Sequence, residues 1–169
     1  LVAQLPSDLY PVIVKPIRGD NCRGVEICAS ADAVARAAPA DEPLLGQPFL
    51  SGDGSDLKLY GVGETVWAVR RPSPLSRNGS LSNGRGGPID GTPVELTGSL
   101  RELALRCGEL FGLELFGVDC LLTSAGPVVI EVNEFPNYTG VPGADAALAD
   151  HVLATVARAR RPLHMEAVS

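Results

Sequence analysis

The residues best suited to do chemistry are two carboxylates and an amide near the end of the chain: Asp119, Glu131 and Asn133. Residues 115–123 and 127–133 both alternate in polarity, and Ser124-Ala125-Gly126 between them reads as a three-residue hairpin loop. With Thr123 facing Pro127, the antiparallel register sets Asp119 directly across from Glu131. Val118, Cys120, Leu122, Val128, Ile130 and Val132 then form an apolar face, and Asp119, Glu131 and Asn133 share the opposite one. Two acids opposed at a Cβ separation of roughly 5 Å repel each other, and a divalent cation reverses that sign. Two carboxylates and an amide are hard oxygen ligands of the kind Mg²⁺ takes while keeping waters and substrate phosphates. A solvated polar face without metal is the other reading of the same pattern.

A second signal is a reversal of charge. The chain carries 20 acidic and 14 basic residues, a net charge of −6. Between residues 58 and 88, however, Lys58, Arg70, Arg71, Arg77 and Arg85 stand against one acid, Glu64. Lys15, Arg18 and Arg23 outnumber Asp20 around an earlier glycine-containing loop, residues 18–24. Only Lys15 and Lys58 are lysine; every other basic residue is arginine. Clustered cations inside an acidic chain point to an anionic ligand, and phosphate oxygens suit both side chains. The loop matches neither the P-loop nor the dinucleotide fingerprint, so by itself it is a weak signal.

These residues need a frame. A length of 169 residues is that of one domain, or of two small lobes, and is enough to bury a core without disulfides. Apolar residues at 45% and charged residues at 20% are globular proportions. The acidic balance argues against a nucleic-acid partner, and no apolar run is long enough for a membrane helix. Cys22, Cys28, Cys107 and Cys120 form no C-x-x-C pair, and His151 and His164 lie far from them, so no zinc site is expected. Buried thiols suggest a reducing, cytoplasmic setting. The single methionine, Met165, and an opening that reads as mid-domain sequence lead us to expect a missing N-terminal part.

The elements follow from periodicity. A buried strand is expected over 10–15, ended by Pro16, with a return strand over 25–28 and a helix over 31–38 capped by Ser30. Residues 57–62 and 65–71 flank Gly63-Glu64 as a tight hairpin. Residues 74–93 are mostly Gly, Pro, Ser and Asn and read as a long flexible loop. A helix starts at Ser99 with Glu102 completing a capping box. Its stripe is Leu100, Leu103, Ala104, Cys107 and Phe111, and Gly112 is its stop. A last helix is expected over 144–161. Hairpins mixed with helices indicate an α+β fold rather than βαβ winding.

At this point the chain resembles the ATP-grasp superfamily, over nearly its whole length. Val14-Lys15-Pro16 with its loop, Leu45-Gly-Gln-Pro-Phe-Leu50, Asp56-Leu-Lys-Leu-Tyr-Gly-Val-Gly63, Val69-Arg-Arg-Pro-Ser73, Phe116-Gly-Val-Asp119 and Val129-Ile-Glu-Val-Asn133 follow in that family's order. The resemblance implies part of the nucleotide-binding subdomain over 1–45 and the antiparallel-sheet C-terminal subdomain over 46–169. It also implies a preceding domain that this sequence does not include. ATP and Mg²⁺, as one or two ions or replaced by Mn²⁺, are the implied cofactors. Lys15 would contact the ATP phosphates, with Gly19, Asn21 and Gly24 in the loop covering them. Gln47, Pro48, Phe49 and Leu50 would line the adenine, Lys58 would reach the reacting phosphate, and Asp119, Glu131 and Asn133 would hold the metal.

Two subfamilies compete. Arg71-Pro72-Ser73 and residues 133–141 resemble ATP-grasp inositol-phosphate kinases, whereas Arg77-Asn78 and Gly86-Gly87 resemble RimK-like glutamate ligases. The modest local excess of positive charge favours a carboxylate–amine ligase acting through an acylphosphate, with Lys58, Arg71, Arg77 and Arg85 catalytic. Its partners would be small-molecule or peptide carboxylates and amines. A kinase, a non-catalytic ATP-binding module and a homo-oligomer stay open.

Overall fold

The structure, a computed structural model, describes residues 5–18, 24–37, 43–73 and 91–159. Two antiparallel sheets organise it. The smaller contains β1 (Val12–Pro16), β2 (Glu26–Cys28) and β3 (Leu44–Pro48) in the order β2-β1-β3. Helix α1 (Ala31–Ala37) packs Val34 against Val12, Val14 and Cys28. As expected, Ser30 caps it: the Ala33 amide donates to Ser30 Oγ at 3.3 Å. Pro16 is paired with Leu44 inside the strand it was expected to end. A division after residue 45 would cut β3, which pairs with β1 as far as Pro48, so the boundary between the sheets follows Pro48.

The larger sheet has the order β6-β5-β4-β7-β8, with β4 (Ser55–Val62), β5 (Thr65–Pro72), β6 (Thr92–Val94), β7 (Leu115–Thr123) and β8 (Gly126–Glu134). The α+β class and the hairpin at Gly63-Glu64 are as expected; Val62 pairs with Thr65 and Gly63 takes φ 55°. The loop expected over 74–93 ends early, because Thr92–Val94 pairs with Ala68–Arg70 as β6. Residues 74–90, with Arg77 and Arg85, lie outside the described residues, as do Gly19 and Asn21.

One face of this sheet is covered by α2 (Gly98–Phe111), which encloses Leu57, Leu59, Ala68, Phe116, Val118 and Cys120. The helix cap is Thr97 rather than Ser99: Thr97 Oγ1 accepts from the Leu100 amide at 3.3 Å. Gly108 lies in the core beside Ala104, whereas Phe111, expected in the apolar stripe, is 60% exposed. Gly108 and Gly61 are needed there, since a Cβ on either would sit within 2.6 Å of the Phe116 ring. Gly112 ends the helix at φ 64°, as expected. Tyr60, Val62 and Val69 on the other face pack with Tyr138, Val141 and Ala144 at the start of α3 (Ala144–Ala159).

Candidate functional site

The β7–β8 hairpin does set Asp119 opposite Glu131, by a route the sequence reading did not foresee. Thr123 pairs with Gly126, leaving a two-residue turn, Ser124-Ala125, which alone would misplace every later pair by one. A bulge at Ile130 restores the register, so that Cys120 faces Val129 while Asp119 faces Glu131. The bulge also exchanges the apolar positions. Val129 and Val132 pack against the α2 core, whereas Ile130, expected in that core, is 38% exposed.

The polar face is then assembled across strands. Lys58 on β4 pairs with Asp119 on β7, and Gly117 pairs with Asn133 on β8. Lys58 Nζ lies 3.1 Å from both carboxylate oxygens of Asp119. Asn133 Nδ2 donates to Asp119 Oδ2 at 2.7 Å. Lys15 crosses from the smaller sheet to reach Glu131 Oε2 at 3.2 Å. Gly117 makes room, because a Cβ there would lie 2.9 Å from Pro136 and 3.3 Å from the Lys58 stem. Both lysines singled out in the sequence thus meet the two acids singled out, alternating positive and negative charge over one patch.

Arg71 lies on the same face, opposite Asp56 in register. Its Nη2 donates to the Tyr60 hydroxyl, and its buried Nε has no hydrogen-bond partner among the described residues. Arg70, by contrast, turns away to pair with Asp53 and donates from Nε to Ser55 Oγ at 2.7 Å. The charge excess available to a ligand is smaller by that residue. Gln47 pairs with Ile13, and the Phe49 amide donates to Pro11 O at 2.9 Å, which anchors the 47–50 stretch to β1. Gly24 adopts φ 71°, and a Cβ there would meet Pro16 at 2.8 Å.

Two members of this face were not singled out as site residues in the sequence, Asp56 and Tyr60. Both alternate with Lys58 along β4, and that period of two was the available signal. Burial pushes the Asp56 carboxyl above its ordinary range, opposed by a hydrogen bond from Ser73 and reinforced by the charges of Asp119 and Asp53. Burial likewise raises the Cys120 thiol to about 12, so it is inert, as expected of a core cysteine.

The donor set fits a hard dication. Asp119 and Glu131 present opposed oxygens that already attract one ammonium each, and beside them stands the Asn133 amide, whose nitrogen donates to Asp119 and whose oxygen is a further hard donor. Among the described residues no group of three or more His, Cys, Asp or Glu side chains is disposed to hold a metal, so the amide is needed to complete a set of three. No described helix is long and apolar enough to cross a membrane.

Residues 5–156 match the RimK-like ATP-grasp domain family. The chain is 30% identical over 158 residues to a probable alpha-L-glutamate ligase of Thioalkalivibrio sulfidiphilus (strain HL-EbGR7), covering 90% of this chain and 52% of that protein. It is 27% identical to probable alpha-L-glutamate ligase 2 of Shewanella sp. (strain MR-4), covering 95% of this chain and 59% of the relative. The chain therefore spans little more than half the length of these relatives. Among solved structures, the ATP-grasp ligase PsnB complexed with a minimal precursor superposes with a TM-score of 0.61 at 22% identity, covering 91% of this chain and 50% of that one. D-alanine–D-alanine ligase from Bacillus anthracis also gives 0.61, at 20% identity, with 91% and 57% covered. At such identities the superpositions show a shared fold.

Proposed function

The chain belongs to the RimK-like ATP-grasp family, and from that membership we propose that the protein is an ATP- and Mg²⁺-dependent carboxylate–amine ligase. The observation that carries this reading is the single face on which Lys15, Glu131, Asp119 and Lys58 alternate in charge beside Arg71. Asp119, Glu131 and Asn133 would hold one Mg²⁺ or two, or Mn²⁺, which supplies neutralisation of charge on the transferring phosphoryl group. Lys15 and Lys58 exchange their carboxylate partners for phosphate oxygens as nucleotide enters. Gly19, Asn21 and Gly24 cover those phosphates, and Gln47, Pro48, Phe49 and Leu50 receive the adenine.

Arg71 holds the acceptor carboxylate, with Arg77 and Arg85 as further cations. The carboxylate oxygen attacks the γ-phosphorus and ADP leaves. The amine nitrogen then attacks the acyl carbon, inorganic phosphate leaves, and the nitrogen gives up a proton. Catalysis of this kind is mainly positioning plus cationic stabilisation. The acceptors are amino-acid or peptide carboxylates, a class supported by the glutamate ligases among the relatives and by the solved structure of PsnB complexed with a precursor peptide. The residues up to Pro48, which close the smaller sheet, belong to the nucleotide-binding lobe and those after it to the C-terminal lobe, and the buried thiols suit a cytoplasmic enzyme.

The test is trapping. With ATP, Mg²⁺ and a panel of amino acids and glutamate-ended peptides, the intact protein should convert hydroxylamine to an acyl hydroxamate. Phosphoryl transfer to an inositol polyphosphate without any hydroxamate would replace the ligase by a kinase. Nucleotide binding with no turnover of any kind would reduce it to a binding module.

A further inference from the structure

Tyr60 is wholly inaccessible to solvent, and the reaction proposed above gives it no part. Its hydroxyl oxygen accepts from Arg71 Nη2. Its ring has the Arg71 guanidinium 5.6 Å from the centroid and Lys58 Nζ 5.9 Å from it, both within the range of cation–π attraction. The ring is itself held. Tyr138 packs against it with centroids 5.7 Å apart, and the Tyr138 hydroxyl donates to the Gly61 carbonyl at 2.6 Å. Burial raises the Tyr60 phenol above its ordinary value, although Arg71 pulls the other way, so a neutral hydroxyl faces the guanidinium.

Arg71 is consequently fixed at one nitrogen while its buried Nε has no acceptor among the described residues. A buried N–H without a partner is costly unless a ligand supplies the missing acceptor. We propose that Tyr60 is the positioning residue of the acceptor site: its hydroxyl and ring hold the Arg71 guanidinium so that the vacant Nε–H is filled by an oxygen of the bound carboxylate. The inference rests on the role given above to Arg71. Rotamer freedom is what an arginine loses on binding an anion, and a side chain clamped in advance loses less of it.

Tyr60→Phe in the intact protein keeps the ring and removes only the accepting oxygen. In ¹⁵N spectra, the Arg71 Nε–H signal is identified by its disappearance in Arg71→Lys. It should be rigid by heteronuclear NOE in the unsubstituted protein and mobile in Tyr60→Phe. The KM for a glutamate-ended peptide should rise about tenfold, the effect of losing one hydrogen bond to a charged group, with the KM for ATP unchanged. Tyr60→Leu, which also removes the ring, should raise the peptide KM further. An Nε–H that is mobile in the unsubstituted protein, or equally rigid in Tyr60→Phe, overturns the proposal whatever the kinetics. Equal rises in KM for ATP and peptide overturn it as well. If instead Arg71→Lys leaves the peptide KM unchanged, the acceptor role of Arg71 is what fails, and the NOE still decides whether Tyr60 positions it.

Discussion

The two faces of the five-stranded sheet are made by the same strands and share almost no chemistry. Toward α2 lie Leu57, Leu59, Val66, Ala68, Phe116, Val118 and Cys120, a dry layer in which van der Waals fit decides everything. Toward the other side, the alternate residues of the same strands are Asp56, Lys58, Tyr60, Arg71, Asp119, Glu131 and Asn133. The difference shows how a rigid layer supports a charged one. Opposed acids repel, and their positions persist because strands fastened by the apolar face cannot part.

The comparison breaks most severely at Phe116. Phe116→Ala removes the ring against which Gly61 and Gly108 close, and should cost about 3–5 kcal/mol in chemical denaturation. Folded molecules of that variant should still bind Mg²⁺–nucleotide as the unsubstituted protein does; a loss of affinity in them would mean that the two faces are not separable.

On the charged face the expected effects reverse. Asp119→Asn should weaken Mg²⁺-dependent nucleotide binding by at least about tenfold, measured by calorimetric titration. It leaves Lys58 without its ion pair, yet the change in melting temperature should be far smaller than for Phe116→Ala. Glu131→Gln should act in the same direction. Its pair with Lys15 is half exposed, so the fold should lose no more than about 1 kcal/mol.

Asp56 gives a pH-dependent contrast. Its carboxyl is held above the ordinary aspartate range in the folded state, so the native protein binds that proton more tightly than the unfolded chain does. Its contribution to stability is therefore favourable at low pH and is lost as pH rises through the interval between the unfolded and folded values. Asp56→Asn should be more stable than the unsubstituted protein at neutral pH, and the advantage should vanish below the ordinary aspartate value. A constant difference across that interval, in melting temperature against pH, would assign the effect to packing.

The smallest effect belongs to Arg70, which the sequence groups with Arg71. Arg70→Ala breaks an exposed pair with Asp53 and should change stability by under about 1 kcal/mol, with nucleotide affinity untouched. A drop in affinity there would return Arg70 to the ligand site.

Much of the site was legible because strand alternation is local. Lys58, Asp119, Glu131 and Asn133 were recognisable from residue type and period, and Gly63-Glu64 as a turn from its composition. The Ile130 bulge was not, since an unpaired apolar residue leaves no compositional mark in a strand that already carries Val128, Val129 and Val132. The Thr97 cap was hidden behind an equally good candidate two residues on, Ser99. Tyr60 was not singled out, because its single polar atom points at a partner that only strand pairing supplies.

What the sequence by itself determined was which side chains can share a face, because the twofold period of a strand is written into its covalent geometry. Only the tertiary structure decided which of those faces meet. Lys15 and Glu131 are 116 residues apart and join two different sheets, and Arg71 reaches Tyr60 across a hairpin. Contacts of that kind arise from packing whole layers together, where the gain from burying apolar area outweighs any local preference.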